Sequence, residues 1–148
     1  MTTKGLDPRA PRFGAAITSV LMVLVIYLSL DAATITSALW IMGFAVVTFI
    51  FGVTLGPARH PYGFIYRSLV RPRLKEPSFL EDPRPVRFAQ LVGLLVTGTG
   101  FVLHLLGVPY ALPIAAAAAF VAAFLNATFA FCLGCLMYIG LKRIGVIR

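Results

Sequence analysis

Two cysteines three residues apart, in Cys132-Leu133-Gly134-Cys135, are the residues of this chain best suited to covalent chemistry. Such a pair can cycle between dithiol and disulfide, can supply half of a tetrahedral zinc site, or can pack as small thiols where helices approach closely. On a regular helix the Cβ atoms of residues i and i+3 lie about 5–6 Å apart, whereas a disulfide needs about 3.5–4.5 Å. A redox pair therefore requires the helix to distort, which Gly134 makes easier. An apolar setting also suppresses the reactive thiolate unless a cation or a helix terminus stands near. On spacing alone, packing beside Gly134 and the neighbouring alanines is slightly the better reading. The chain has no third cysteine. With His60 on a loop and His104 on the far side, a zinc site within one chain is incomplete, which leaves only two-coordinate soft-metal binding or a site shared across a dimer.

A second set of residues is polar without being nucleophilic. Gln90, Gly93, Thr97, Gly100 and His104 follow one another at steps of three, four, three and four, which places all five on one face of a helix. That face must look inward, for close packing over glycines with the polar groups satisfied across the interface. His104 and Asn126 each count to about 25 Å from the charged ends of their helices and are expected to be able to bond to each other. Asn126 points away from the cysteines. No phosphate-binding glycine loop, Ser/His/Asp triad or paired-carboxylate site occurs, and no cofactor is implied.

The elements that carry these residues are set by hydrophobicity. Of 148 residues, 59% are hydrophobic and only 12% charged, too apolar for the core of a soluble domain of this size. No Lys, Arg, Asp or Glu occurs from Phe13 to Leu30, from Ala32 to Ala58, or from Phe88 to Leu141. A crossing takes about 20 residues, and Gly107-Val108-Pro109-Tyr110-Ala111-Leu112-Pro113 divides the third stretch by its proline and glycine punctuation. The expected architecture is all-α and a single domain over 1–148, with transmembrane helices at about 13–30, 32–55, 88–106 and 114–141. Counting inward from Lys142 along an unbroken fourth helix puts Cys135 about 10 Å and Cys132 about 15 Å deep.

The 13 basic residues fall in three groups: Lys4, Arg9 and Arg12; the segment from Arg59 to Arg87; and Lys142, Arg143 and Arg148. With four crossings all three groups share one side, so the positive-inside rule expects both termini and the loop 56–87 in the cytoplasm of a cell-membrane protein. The formal net charge of +8 then serves topology and contact with anionic headgroups and implies no nucleic-acid partner. The residues around Asp31 lack a small-x-small cleavage site, so the first apolar run reads as a retained span. In the loop, Tyr62, Ile65, Tyr66 and Leu69 are spaced as one helical face and Arg67, Arg71 and Lys75 as another. They suggest a short interfacial helix ending near Pro72, whose Arg67, Arg71, Arg73 and Lys75 meet lipid or a partner. Arg73 to Val86, rich in proline and charge, is expected to be extended.

Asp7-Pro8-Arg9-Ala10-Pro11-Arg12-Phe13 and Asp82-Pro83-Arg84-Pro85-Val86-Arg87-Phe88 both read D-P-R-x-x-R-F. Each stands before the first helix of a pair, so the chain reads as two helical hairpins, parallel repeats about an axis along the membrane normal. The simplest use of the motif is helix entry: Asp caps, Pro restricts the chain and the arginines anchor at headgroups.

These two motifs, together with Cys132-Leu133-Gly134-Cys135 and Tyr138, resemble a family of small, mainly actinobacterial integral membrane proteins known only as a domain of unknown function. The resemblance covers nearly the whole chain. Members tend to be encoded near thioredoxin-like proteins and sulfurtransferases, which implies a thiol role for Cys132 and Cys135 and moves that reading ahead of packing. Three functions follow in order: a membrane-embedded dithiol protein serving a cytosolic thioredoxin-like or sulfur-transfer partner that docks on the basic loop; a non-catalytic scaffold or small subunit whose cysteines pack; and a small-solute transporter, for which four helices would have to oligomerise.

Overall fold

A computed structural model describes residues 5–56 and 59–146; Lys4 and Arg148, two of the basic residues counted above, lie outside them. Among the described residues all regular elements are helices, apart from one isolated bridge between Leu6 and Glu81; the expected extended stretch Arg73–Val86 is non-helical only from 74 to 82, since α4 begins at Pro83. Helices α1 (Arg9–Ser29), α2 (Ile35–Thr54), α4 (Pro83–Leu105) and α5 (Ala111–Phe129) are each long and apolar enough to cross a membrane, and they make a multi-pass membrane architecture. Two short helices follow the hairpins: α3 (Pro61–Ile65), continued by a wider π turn at Tyr66–Val70 and a 3-10 turn at Arg71–Arg73, and α6 (Leu133–Arg143).

Both D-P-R-x-x-R-F motifs run across the starts of their helices, with the aspartate just outside and the phenylalanine in the second turn, so the helices begin earlier than hydrophobicity alone indicated. Asp82 is the N-cap of α4, its carboxylate accepting the Arg84 N–H at 2.9 Å, with Pro83 at the first helical position, where its missing N–H costs nothing. Pro113 is likewise accommodated in the first turn of α5.

The core is small-residue packing between antiparallel spans. Met22 and Val25 of α1, Ala38, Met42 and Ala45 of α2, and Leu112, Ala115, Ala116 and Ala119 of α5 form one buried cluster. The spans pack around a ring: α1 against α2 and α5, and α4 against α2 and α5. Gly100 lets α4 approach Ala115 and the carbonyl of Ala111 on α5, where a Cβ would collide with Ala115. The outward faces are apolar, with Trp40 78% and Tyr27 73% exposed, as a lipid-facing surface requires.

The expected fourth helix, 114–141, is corrected to two. Ala130 takes a left-handed conformation (φ 54°), Cys132 is extended, and α6 starts at Leu133. In an unbroken helix the Phe131 N–H would bond to the Ala127 carbonyl. That carbonyl instead accepts the Arg12 guanidinium of α1 at 3.1 Å, and the Phe131 N–H turns to Leu125 at 3.2 Å, a helix-terminating arrangement. Arg87 does the same across the bundle, donating to the carbonyls of Val53 and Thr54 at the end of α2 at 2.6 and 3.2 Å. The arginines expected to anchor at headgroups thus each cap the last turn of the other hairpin's second helix, where orphan carbonyls and the helix dipole favour a cation.

Candidate functional site

α6 lies along the start of α4. Gly134 sits on Ala89, whose Cα would be 2.5 Å from a Cβ at position 134, and Tyr138 packs on Phe88 with ring centroids 5.8 Å apart. Ala89 is six residues into α4, about 9 Å along its axis. The break at 130–132 thus delivers the cysteines to the N-terminus of a new helix beside α4. They are not in the middle of a spanning helix, and the depth counted from Lys142 along an unbroken helix does not apply to them.

Cys132 is the N-cap of α6: its sulfur accepts the backbone N–H of Cys135 at 3.2 Å. The two cysteines form a disulfide, with Cα atoms 5.2 Å apart, and both are half-buried. Cys132 is extended and stands outside the regular helix, so the i, i+3 Cβ separation of a helix does not govern the pair. A helix N-terminus directs unpaired N–H groups and a partial positive charge at a capping group. On reduction that environment favours a thiolate at Cys132. The arrangement can therefore undergo thiol–disulfide exchange, with a capping sulfur at 132 and a second sulfur at 135 within reach of it. Among the described residues no group of three or more His, Cys, Asp or Glu gathers to hold a metal.

The other polar residues singled out by sequence do not join the cysteines. Thr97 is fully buried and bonds its hydroxyl to the Gly93 carbonyl at 2.7 Å. Phe49 covers Gly93, and Gln90 lies over Gly52 of α2 with its Oε1 buried and without a donor among the described residues. These residues divide between two partners, α2 and α5, and their polar groups are not satisfied across the interface as expected: Thr97 bonds within its own helix and Gln90 Oε1 meets no donor among the described residues. The expected His104–Asn126 bond is corrected: α5 ends at Phe129, so Asn126 is one turn from the charged end of the bundle, while His104 is in the last turn of α4 at the opposite end. The count along an unbroken helix had placed them level. Thr128, exposed, bonds back to the Phe124 carbonyl at 2.6 Å.

Arg67, Arg71, Arg73 and Lys75 are all exposed in the turns and chain that follow α3, but the aromatic face that α3 shares with the π turn is packed against protein. Tyr62 and Tyr66 are buried, 5% and 2% exposed, Tyr62 over Gly14 of α1 and Tyr66 against Phe13 at 5.8 Å. Tyr66 donates its hydroxyl to Asp7 at 2.9 Å. Burial pushes the Asp7 carboxyl up, but hydrogen bonds from Arg9 and Tyr66 outweigh it and hold its pKa below the usual carboxylate value.

His60, expected only as a loop residue unsuited to complete a metal site, is a helix cap. It is 6% exposed and N-caps α3, Nδ1 accepting the Tyr62 N–H at 3.2 Å. Burial lowers its pKa to about 4, opposed only in part by a hydrogen bond with the Thr48 backbone. The signal was present as a potential cap immediately before Pro61 at the first helical position. His60 stands to α3 as Cys132 stands to α6.

Four apolar spans and a capping disulfide on a short helix at the charged end define a multi-pass membrane protein with a dithiol-capable site. The chain belongs to the family described as a domain of unknown function, DUF4395, whose profile matches residues 6–143. No curated protein and no solved structure matches it.

Proposed function

We propose that this protein is a membrane-embedded dithiol–disulfide exchanger of the cell membrane, with both termini cytoplasmic, serving a cytosolic thioredoxin-like or sulfur-carrying partner. The observation that carries the reading is the disulfide at the start of α6, with the Cys132 sulfur in the N-cap position. In the exchange a partner thiolate attacks the Cys132 sulfur, a mixed disulfide forms, and Cys135 leaves as thiolate. A second partner thiolate then attacks the partner's sulfur in the mixed disulfide and releases Cys132. The partner loses two electrons and this protein gains them; the reverse reaction oxidises the dithiol. The N-cap environment favours Cys132 as the leaving and attacking thiolate. The same reading takes the two halves as parallel repeats, each a pair of spans followed by a short helix whose tyrosine packs on the motif's phenylalanine. It expects superposition of the halves to bring Arg9 onto Arg84 and Phe13 onto Phe88.

A scaffold role is the second reading, favoured by the close seat of Gly134 on Ala89. Trapping separates the two. With Cys135→Ser in native membranes, a mixed disulfide through Cys132 should accumulate with a thioredoxin-like protein, and mass-tagging of the parent should show two oxidant-sensitive thiols per chain. A pair that cannot be reduced or tagged in intact membranes, and whose double replacement by alanine leaves abundance and activity unchanged, would leave only the scaffold.

A further inference from the structure

The two D-P-R-x-x-R-F motifs make the same local contacts and differ in what covers them. In each, the aspartate accepts the arginine's backbone N–H and pairs with its guanidinium at 3.1 Å. In each, a tyrosine from the following short helix packs on the motif's phenylalanine at 5.8 Å. Over the first motif lies the chain's own extended segment. Arg9 Nη2 donates to the Lys75 carbonyl at 2.9 Å, and Leu6 and Glu81 exchange two backbone hydrogen bonds of 2.8 Å. The Asp7 and Arg9 side chains are accordingly 6% and 32% exposed. At the second motif Asp82 and Arg84 are 46% and 67% exposed, and among the described residues Arg84 bonds only to Asp82. Beside it is an open groove of about 460 Å³ lined by Asp82, Pro85, Tyr138, Ile139, Lys142 and Arg143, where the first motif keeps only a smaller one of about 260 Å³ between Arg9, Phe13, Tyr66 and Leu74.

We propose that this groove between the first turn of α4 and the last turns of α6 docks an extended, acidic segment of the partner protein, in the way residues 74–81 lie on the first motif. Arg84 would take a backbone carbonyl, as Arg9 takes that of Lys75. Lys142 and Arg143 are unmatched by any acid in the groove except Asp82, which Arg84 already holds, so the surplus charge selects acidic side chains. The covering segment of the first half itself carries two acids, Glu76 and Glu81, against one cation, Lys75. The groove is on the cysteines' own helix: Tyr138 follows Cys135 by three residues, about 4.5 Å of rise. A docked partner is thus held one to two turns from the disulfide. The basic loop, by contrast, follows α3, which rests on α1, and α1 and α4 are not neighbours in the ring of spans. The inference deepens the dithiol reading, and depends on it for the partner's thiol chemistry.

The test uses a fluorescent peptide with the sequence of residues 74–82 and the full chain carrying Cys132→Ala and Cys135→Ala, in nanodiscs of phosphatidylcholine or with added phosphatidylglycerol. Removing the thiols makes binding independent of the redox reading. Saturable binding is expected, weakened at least tenfold by Arg84→Ala and by Lys142→Glu with Arg143→Glu, and unchanged by Arg67→Glu with Arg71→Glu. Arg84→Lys, which keeps the charge and loses the fork, should weaken it several-fold and guards against misfolding of the alanine variant. No binding, or binding indifferent to Arg84, overturns the proposal. So does complete displacement by phosphatidylglycerol with Arg84→Ala lowering lipid retention, which would make a lipid headgroup the occupant. In the Cys135→Ser protein, trapping of a single-cysteine thioredoxin should fall at least tenfold with Lys142→Glu and Arg143→Glu. If trapping persists undiminished, docking fails while the dithiol reading stands; if the parent traps nothing but the peptide still binds, the reverse holds.

Discussion

Asp7 accepts four hydrogen bonds, three from Arg9 and one from the Tyr66 hydroxyl, in a site where its side chain is 6% exposed. Removing a partner from such a buried set leaves donors unsatisfied and costs about 1–3 kcal/mol. Asp82 accepts three bonds from Arg84 and none from a tyrosine, in the open, where solvent screens the ion pair and the cap bond alone keeps its value. Asp7→Ala should therefore lower stability in detergent by about 1–3 kcal/mol, and Asp82→Ala by less, about 1 kcal/mol, read from denaturant unfolding followed by circular dichroism. Equal losses would mean that burial does not distinguish the two motifs. The motif residues themselves were legible from their spacing, including the capping aspartates. Which of the two copies is buried was not, because that depends on a segment folding back from position 75.

At each join, the second span is followed by a left-handed residue before its short helix begins. After α2 the left-handed position is Gly56 (φ 85°), and after α5 it is Ala130 (φ 54°). Glycine takes that conformation without the Cβ penalty of about 1–2 kcal/mol. Ala130→Gly should thus be neutral or stabilising by up to about 1 kcal/mol, whereas Ala130→Val should destabilise by more than about 1 kcal/mol and slow re-formation of the Cys132–Cys135 disulfide after reduction. If valine behaves like glycine, the break is not held at Ala130. The alanine is also why the break was not visible in the sequence, since no glycine or proline marks it.

At the first join His60 ties helix formation to pH. Its folded pKa of about 4 lies below the unfolded value of about 6.5, so the unfolded chain binds the extra proton between those limits. The stability from neutral His60 is complete above about pH 6.5 and is lost progressively toward pH 4, by an amount on the order of 3 kcal/mol. Unfolding of the parent should show that slope and His60→Asn, which keeps a capping acceptor, should largely remove it. A parent curve flat across that range would place His60 in water.

Across the whole molecule the hairpins are interlocked: Arg12 of the first ends α5 of the second, and Arg87 of the second ends α2 of the first. Each end of the bundle has a distinct character. The charged end gathers both motifs, both short helices and the cysteines, while the other carries Asp31 and the turn at 107–110. The proposed orientation expects cytoplasm-specific reporters to be active when fused after Arg148 or inserted near Lys75, and silent when inserted at Val108. Activity at Val108 would reverse the orientation or remove a crossing.

Composition and punctuation determined the solvent, the number of spans and their approximate limits, because a lipid-crossing helix must be continuously apolar over a fixed length: the charges of this chain leave three such stretches, and the prolines and glycine at 107–113 divide the third in two. Local spacing also placed the two aspartates that accept backbone N–H groups at the starts of α1 and α4. What only the tertiary structure decided is where the last helix stops. The carbonyl that ends α5 is taken by an arginine 115 residues earlier in the chain, and a competition between a local N–H and a distant guanidinium leaves no trace in local sequence. From that one exchange follows the placement of Cys132 at a helix N-terminus, where the geometry and field suit a disulfide, and not inside a helix, where they would oppose one.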